Sequence, residues 1–239
     1  IFISNYICIH ANRLKEKDVF AVRPKAGGAA RRRCLYSCPM AARVAGMMKF
    51  WESMATGRRR GKVLLALIVL TLAVYGHMIF VSIPAVSARA GGMQILDLMP
   101  VGYSPAYAAQ LFERLGEAGR RAYLTEQIPV DLLYPFLFGV TFAWLLLYLM
   151  WRVSPRRTWA LGAAAMPLLA GLFDYAENAA IIAMLASYPD FSPGLVRWSS
   201  GFTIAKSCLT TLSVVLLLGV LAAAAVRRFS RSRHPAEAA

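Results

Sequence analysis

Four long apolar blocks alternate with short polar segments along this chain. They cover residues 63–84, 129–151, 158–187 and 199–226. Each block reaches the roughly 20 residues that a helix needs to cross the hydrocarbon core of a bilayer. The pattern therefore predicts an all-α fold, a four-transmembrane-helix bundle over residues 63–226, with both chain ends on the same side of the membrane.

The polar segment 85–128 is too long for a plain turn and has helical signals of its own. Ser104 followed by Pro105 is typical of a helix start, and Gly116 is typical of a stop. Apolar residues recur at helical spacing between them, and a second short helix is predicted over residues 117–124. We expect these pieces to form a short helical cap on the outer side of the bundle.

Composition agrees with a membrane location. Of 239 residues, 58% are hydrophobic and 16% are charged, and the mean hydropathy is +0.51. Soluble domains have about 45–50% apolar and about 25% charged residues. These values exclude a disordered chain and indicate an integral membrane protein.

Positive charge is concentrated beside the spans and predicts their orientation. Residues 1–62 hold 14 Lys and Arg against 3 Asp and Glu, and further arginines occupy the 152–157 turn and the tail 227–239. By the positive-inside rule, both termini and the 152–157 turn are cytosolic, whereas segments 85–128 and 188–198 are outside.

The first 46 residues form a basic arm without helical or strand periodicity. We expect the arm to be disordered, or to be untranslated upstream sequence with a start at Met47, Met48 or Met54; a true cytosolic tail is the alternative. Residues 47–62 are then a cytosolic basic lead. Orientation and attraction to anionic lipid heads explain the charge, so membrane lipids are the expected partners and nucleic acid is not.

Ionisable residues inside the predicted spans are the candidates for function, because each costs about 2.5–3.5 kcal/mol at a helix centre. The candidate cluster, which also includes one neutral amide, consists of His77, Asp131, Asp174, Glu177, Asn178 and Lys206. Counted from the outer span ends, all of them lie in the same half of the membrane. We therefore expect one shared cluster rather than scattered charges.

Helical spacing aims the cluster at the bundle interior. Asp174, Glu177 and Asn178 stand at i, i+3 and i+4, so they share one helix face. Lys206 lies in a Ser/Thr stripe on the fourth span and is the natural partner of Glu177 or Asp174. Pro135 removes the hydrogen bond that the Asp131 carbonyl would accept, which predicts a kink and a free acceptor there.

Two interpretations of the cluster stay open. It is either an ion-pair network that fixes helix packing, or a pocket open to the outer side that binds a ligand, a metal ion or a proton. Asp174, Glu177 and His77 are the candidate catalytic residues. No nucleotide or dinucleotide fingerprint is present, so no cofactor site is predicted. A single histidine with carboxylates suits a hard cation better than zinc, and the metal is left undefined.

Four short motifs resemble a family of uncharacterised small bacterial four-span integral membrane proteins. They lie in residues 96–103, 119–120, 131–135 and 174–178, which read LDLMPVGY, GR, DLLYP and DYAEN. The resemblance covers about residues 63–226 and implies a bacterial inner-membrane setting.

Three functions remain for such a protein. The first is ligand binding or assembly, with a membrane protein or a second copy of the chain as partner. The second is a membrane-embedded enzyme acting on a lipid or envelope substrate. The third is a small proton-coupled transporter, which would need oligomerisation because four spans leave little room for a pathway.

Overall fold

The computed structural model describes residues 60–153 and 157–233, and this part of the chain contains helices and no strand. The helices are α1 (Arg60–His77), α2 (Ile83–Arg89), α3 (Pro105–Ala122), α4 (Ile128–Val153), α5 (Arg157–Ala186) and α6 (Pro193–Arg233). A 3₁₀ turn, Leu96–Leu98, lies between α2 and α3. The expectations for the arm 1–46, the lead up to residue 59, residues 154–156 and the last six residues fall outside the described residues.

Four helices are long and apolar enough to cross a membrane, which confirms the all-α four-helix fold. They cover Gly61–Arg89, Pro105–Val153, Trp159–Ala186 and Pro193–Arg228. The helices extend beyond the apolar blocks of the sequence: the fourth begins at Pro193, not near residue 199. An apolar block in the sequence ends at the first polar side chains. A helix continues for as long as its backbone N–H and C=O groups bond to each other.

Two π-helical turns keep the long helices continuous. Met78–Ser82 joins α1 to α2, and Tyr123–Gln127 joins α3 to α4. Each turn precedes an Ile-Pro pair, at Pro84 and Pro129. Proline lacks an N–H and its ring pushes away the carbonyl four residues earlier, so a wider turn forms just before it. The predicted short helix 117–124 therefore runs on into α4 instead of ending.

Hydrogen bonds between buried side chains hold the first span against the second. Ser82 Oγ donates to Gln127 Oε1 at 2.6 Å, and so joins the two π-helical turns. Further along the pair, the Thr71 and Thr141 hydroxyls are 3.0 Å apart. Both contacts are buried, where a polar group left without a partner would be costly.

The second and third spans approach through a reciprocal pair of proline and glycine residues. A Cβ added at Gly171 on α5 would lie 2.9 Å from the Pro135 carbonyl oxygen on α4. One added at Gly139 on α4 would lie 3.3 Å from the Pro167 carbonyl oxygen on α5. Each helix thus presents a Pro-x-x-x-Gly face to the other, and the small residues permit backbone contact.

The predicted cap is present at the end of the bundle that carries residues 90–122, here called the cap end. Ser104 Oγ accepts a hydrogen bond from the Tyr107 N–H at 3.2 Å, which confirms the helix start. Gly116 has φ 60° and ψ −175° and breaks α3 at the predicted stop. The apolar face of α3 is buried, and Phe112 packs edge-on against Tyr188 and Phe191 after the third span.

Candidate functional site

Lys206 on α6 forms ion pairs with two carboxylates on α5. Its Nζ lies 2.7 Å from Asp174 Oδ1 and 2.5 Å from Glu177 Oε2. The Glu177 side chain is fully buried, and the other two side chains are 12% exposed. This is the pairing expected from the sequence. It has a reason in helix geometry, because positions i and i+3 put both carboxylates beside one ammonium.

A chain of hydroxyl groups continues from the ion pairs toward the cap end. Thr203 Oγ1 is 2.6 Å from Glu177 Oε1 and 3.0 Å from the Ser199 carbonyl oxygen. The Tyr103 hydroxyl donates to Ser199 Oγ at 2.7 Å. The Thr203 hydroxyl has one proton and lies within hydrogen-bond distance of two acceptors. It can therefore donate to either Glu177 Oε1 or the Ser199 carbonyl oxygen. The buried carboxylate is therefore connected to the loop before α3.

Asp131 is a buried carboxylate that forms no ion pair with the described residues. It lies on the first turn of α4, it is 2% exposed, and its Oδ2 has no hydrogen-bond partner among the described residues. Its backbone carbonyl accepts from Asn178 Nδ2 at 3.4 Å. The next carbonyl, that of Leu132, accepts from the Tyr175 hydroxyl at 2.9 Å. Side chains of α5 thus take up the acceptor that Pro135 was predicted to free.

A loop brings a further carboxylate, Asp97, which the sequence analysis did not include. The loop folds back along α6: a Cβ at Gly102 (φ 84°) would meet Ser200 Oγ, and Ser200 Oγ accepts from the Tyr103 N–H at 2.9 Å. Asp97 Oδ1 accepts from the Tyr123 hydroxyl at 2.9 Å, while its Oδ2 is buried without a partner. A loop path depends on long-range contacts, so periodicity gave no signal for this residue.

The surroundings of Asp97 favour its neutral form. Burial, and to a lesser degree the negative charges of Glu177 and Asp174, raise the pKa of Asp97 from 3.8 to about 7, against the opposing effects of Lys206 and the Tyr123 hydroxyl. A carboxyl group with a pKa near neutrality takes up or releases a proton at small cost. The loop therefore adds a proton-exchanging group to the cluster.

A cavity of about 370 Å³ gives access to this cluster. It lies between the first and fourth spans, with the loop at one side. Its polar wall contains Asp97, Asp131, Asp174, Lys206, Ser207, Thr210 and Thr211, and its apolar wall contains Tyr75, Met78, Ile79, Ile83, Leu98, Pro100 and Tyr134. We call it the polar cleft. Glu177 lies behind the Lys206 ion pair, outside the cavity wall.

His77 does not join the other predicted residues. It is exposed on α1, two residues after Tyr75, which lines the cleft. Two residues correspond to about 200° around a helix, so the two side chains leave α1 on nearly opposite sides. The depth count along the sequence did not include the direction in which the His77 side chain leaves the helix.

The described residues do not form a metal-binding group. No three His, Cys, Asp or Glu side chains in the described ranges stand close enough to hold one ion. The carboxylates are spread along the cleft wall and around Lys206 instead. That spacing suits a ligand larger than an ion, or protons held on separate groups.

Comparisons of this chain with protein-family models, with curated proteins and with solved structures find no match, so its function is inferred from its own residues.

Proposed function

We propose that this multi-pass membrane protein binds a ligand in the polar cleft, in the outer half of a bacterial inner membrane. The observation that carries the proposal is Asp131, a carboxylate that lines a 370 Å³ cavity and keeps a buried oxygen without a partner. An unsatisfied buried acceptor is costly, and a bound ligand is one of the explanations for such a group in a folded protein.

Helix packing alone accounts for only part of the cluster. The Lys206 ion pairs and the Asn178 contact hold α4, α5 and α6 together, as polar residues in membranes often do. Packing gives no role to Asp97 and Asp131, which line the cavity and each keep one buried oxygen without a hydrogen-bond partner among the described residues. We infer that the ion pairs form the floor of the site and that these two carboxylates meet the ligand.

Binding is favoured over catalysis by the state of the candidate acids. Asp174 and Glu177 are both engaged by Lys206. A general acid or base must reach the substrate with an available proton or lone pair. Asp131 and Asp97 line the cavity and are outside those ion pairs, so an enzyme acting on a lipid or envelope substrate is the second candidate function, with these two residues in place of the ion-paired acids.

Filling the cleft tests the proposal. Ser207→Trp places an indole in the cavity wall, and Leu218→Trp places the same group on an exposed position of α6 outside it. We expect the wild-type protein, released from native membranes, to carry a bound small amphiphile in native mass spectrometry. The Ser207→Trp protein should lose that adduct and the Leu218→Trp protein should retain it.

Two results would contradict ligand binding in the cleft. One is a wild-type protein that carries no adduct under conditions that preserve the fold. The other is equal retention by the Ser207→Trp and Leu218→Trp proteins, which would place the bound molecule elsewhere on the apolar surface.

The orientation rests on the arginines near the C-terminal ends of α4 and α6, Arg152, Arg227 and Arg228. With these on the cytosolic side, the cap end faces outward and the polar cleft lies in the outer half of the membrane. A fluorescent protein fused after residue 239 should then fluoresce in cells, and alkaline phosphatase fused there should stay inactive. Active phosphatase at that position would reverse the orientation.

A further inference from the structure

We propose that the ligand of the polar cleft is a lipophilic ammonium ion, a cationic amine carried on an apolar chain. This inference rests on the proposed binding function and specifies the chemistry of its ligand. It commits to a free amphiphilic amine, and a membrane phospholipid is an alternative outcome of the test below.

Charge balance is the first argument. Asp97, Asp131 and Asp174 line the cavity together with one cation, Lys206, which Glu177 also contacts. Four carboxylates therefore surround one ammonium, and ionisation of all of them leaves an excess of three negative charges. A cation entering from the membrane relieves this repulsion, because opposite charges in a desolvated site favour each other's ionised form. An anionic or phosphate-bearing head would increase it.

The aromatic wall is the second argument. Tyr75 on α1 and Tyr134 on α4 stack with ring centroids 5.4 Å apart, and both line the cavity, Tyr134 one helical turn after Asp131. A cation over an aromatic face is attracted by the quadrupole of the ring, and most strongly where the cation is desolvated. An alkylammonium group suits such a wall, since its methylene groups contact the rings while its N–H groups reach Asp131.

An apolar groove for the chain is the third argument. A second hollow of about 500 Å³ shares Pro100, Ser207 and Thr211 with the polar cleft and continues along α6 past Leu212 and Val215. Its wall is more apolar than that of the cleft. A ligand with its ammonium at Asp131 can therefore lay an alkyl chain along α6 without leaving the protein surface.

The size of the site argues against an inorganic ion. The acidic oxygens of the described residues do not converge on one point, as a metal ion requires. The cavity volume is also far above the roughly 30 Å³ that one water molecule occupies. An organic cation can contact the separated carboxylates and fill the space between them.

Three eight-carbon probes that differ only in the head test the proposal: octylamine, octanol and octanoate. The full-length protein in maltoside micelles is melted with each probe. We expect octylamine to raise the melting temperature with a saturable dose response, whereas octanol and octanoate should give no saturable rise. Asp131→Asn should raise the half-saturating octylamine concentration at least tenfold, and Asp190→Asn, at an exposed carboxylate outside the cleft, should leave it unchanged.

A second carboxylate keeps the test valid if Asp131→Asn does not fold. Asp97→Asn, on the loop, should raise the same half-saturating concentration at least threefold. Equal responses to octylamine and octanol, or an octylamine response unaffected by both substitutions, would overturn the assignment of the ligand class. If the wild type fails to respond to octylamine but loses a native phospholipid adduct on Ser207→Trp substitution, the ligand is a phospholipid and binding in the cleft stands.

Discussion

Replacing Lys206 with methionine should destabilise the protein more than any other single change to its polar residues. The substitution keeps most of the apolar stem of the side chain but leaves Asp174 and the fully buried Glu177 without their ammonium partner. Removing one member of a buried ion pair typically costs about 3–5 kcal/mol, because the remaining charge is desolvated and uncompensated. Denaturant unfolding in mixed micelles measures the loss.

The chain provides a matched control in an exposed ion pair. Arg89 Nη1 lies 3.3 Å from Glu126 Oε2, and the two side chains are 40% and 47% exposed. Arg89→Met should therefore cost less than about 1 kcal/mol. Adding Asp174→Asn and Glu177→Gln to Lys206→Met should recover a large part of the lost stability, since it removes the uncompensated charges. Equal stability of Lys206→Met and Arg89→Met would mean that the intramembrane carboxylates are neutral without the lysine.

The sequence was sufficient to predict those parts of the site that depend on periodicity. Asp174, Glu177 and Asn178 share a face because of their spacing, and Lys206 follows as their partner from charge alone. The effect of Pro135 was also predictable, because a proline removes a particular hydrogen bond wherever it stands in a helix. Only the identity of the group that replaces it, Asn178, required the structure.

The rest of the site depends on contacts between segments far apart in sequence. Asp97 reaches the cluster because its loop folds back on α6, where Tyr103 binds Ser199 and Ser200, about 97 residues later. No local pattern around Asp97 indicates that path. His77 shows a different limit of the sequence. Its position along the helix suited the cluster, but the residue of α1 that lines the cleft is Tyr75, which leaves the helix on nearly the opposite side.

Glycine at position 171 should be almost irreplaceable, although its helix is long and regular. A methyl group there would lie 2.9 Å from the Pro135 carbonyl oxygen, a backbone atom that cannot rotate away. Gly171→Ala must therefore push α5 away from α4. Overpacking of this kind typically lowers the free energy of unfolding by about 1–3 kcal/mol. The same displacement lengthens the Asn178 contact with the Asp131 carbonyl, already 3.4 Å. Thermal unfolding in micelles measures the change.

Two further glycines make the comparison quantitative. Gly139→Ala should cost less than Gly171→Ala, because its methyl group would lie 3.3 Å from the Pro167 carbonyl oxygen. Gly162→Ala, also on α5, meets no atom within 4 Å and should be neutral or stabilising, since alanine favours helix by up to about 1 kcal/mol over glycine. If all three variants gain stability alike, the helices do not touch at these positions, and the close approach that brings Asn178 and Asp131 together is wrong.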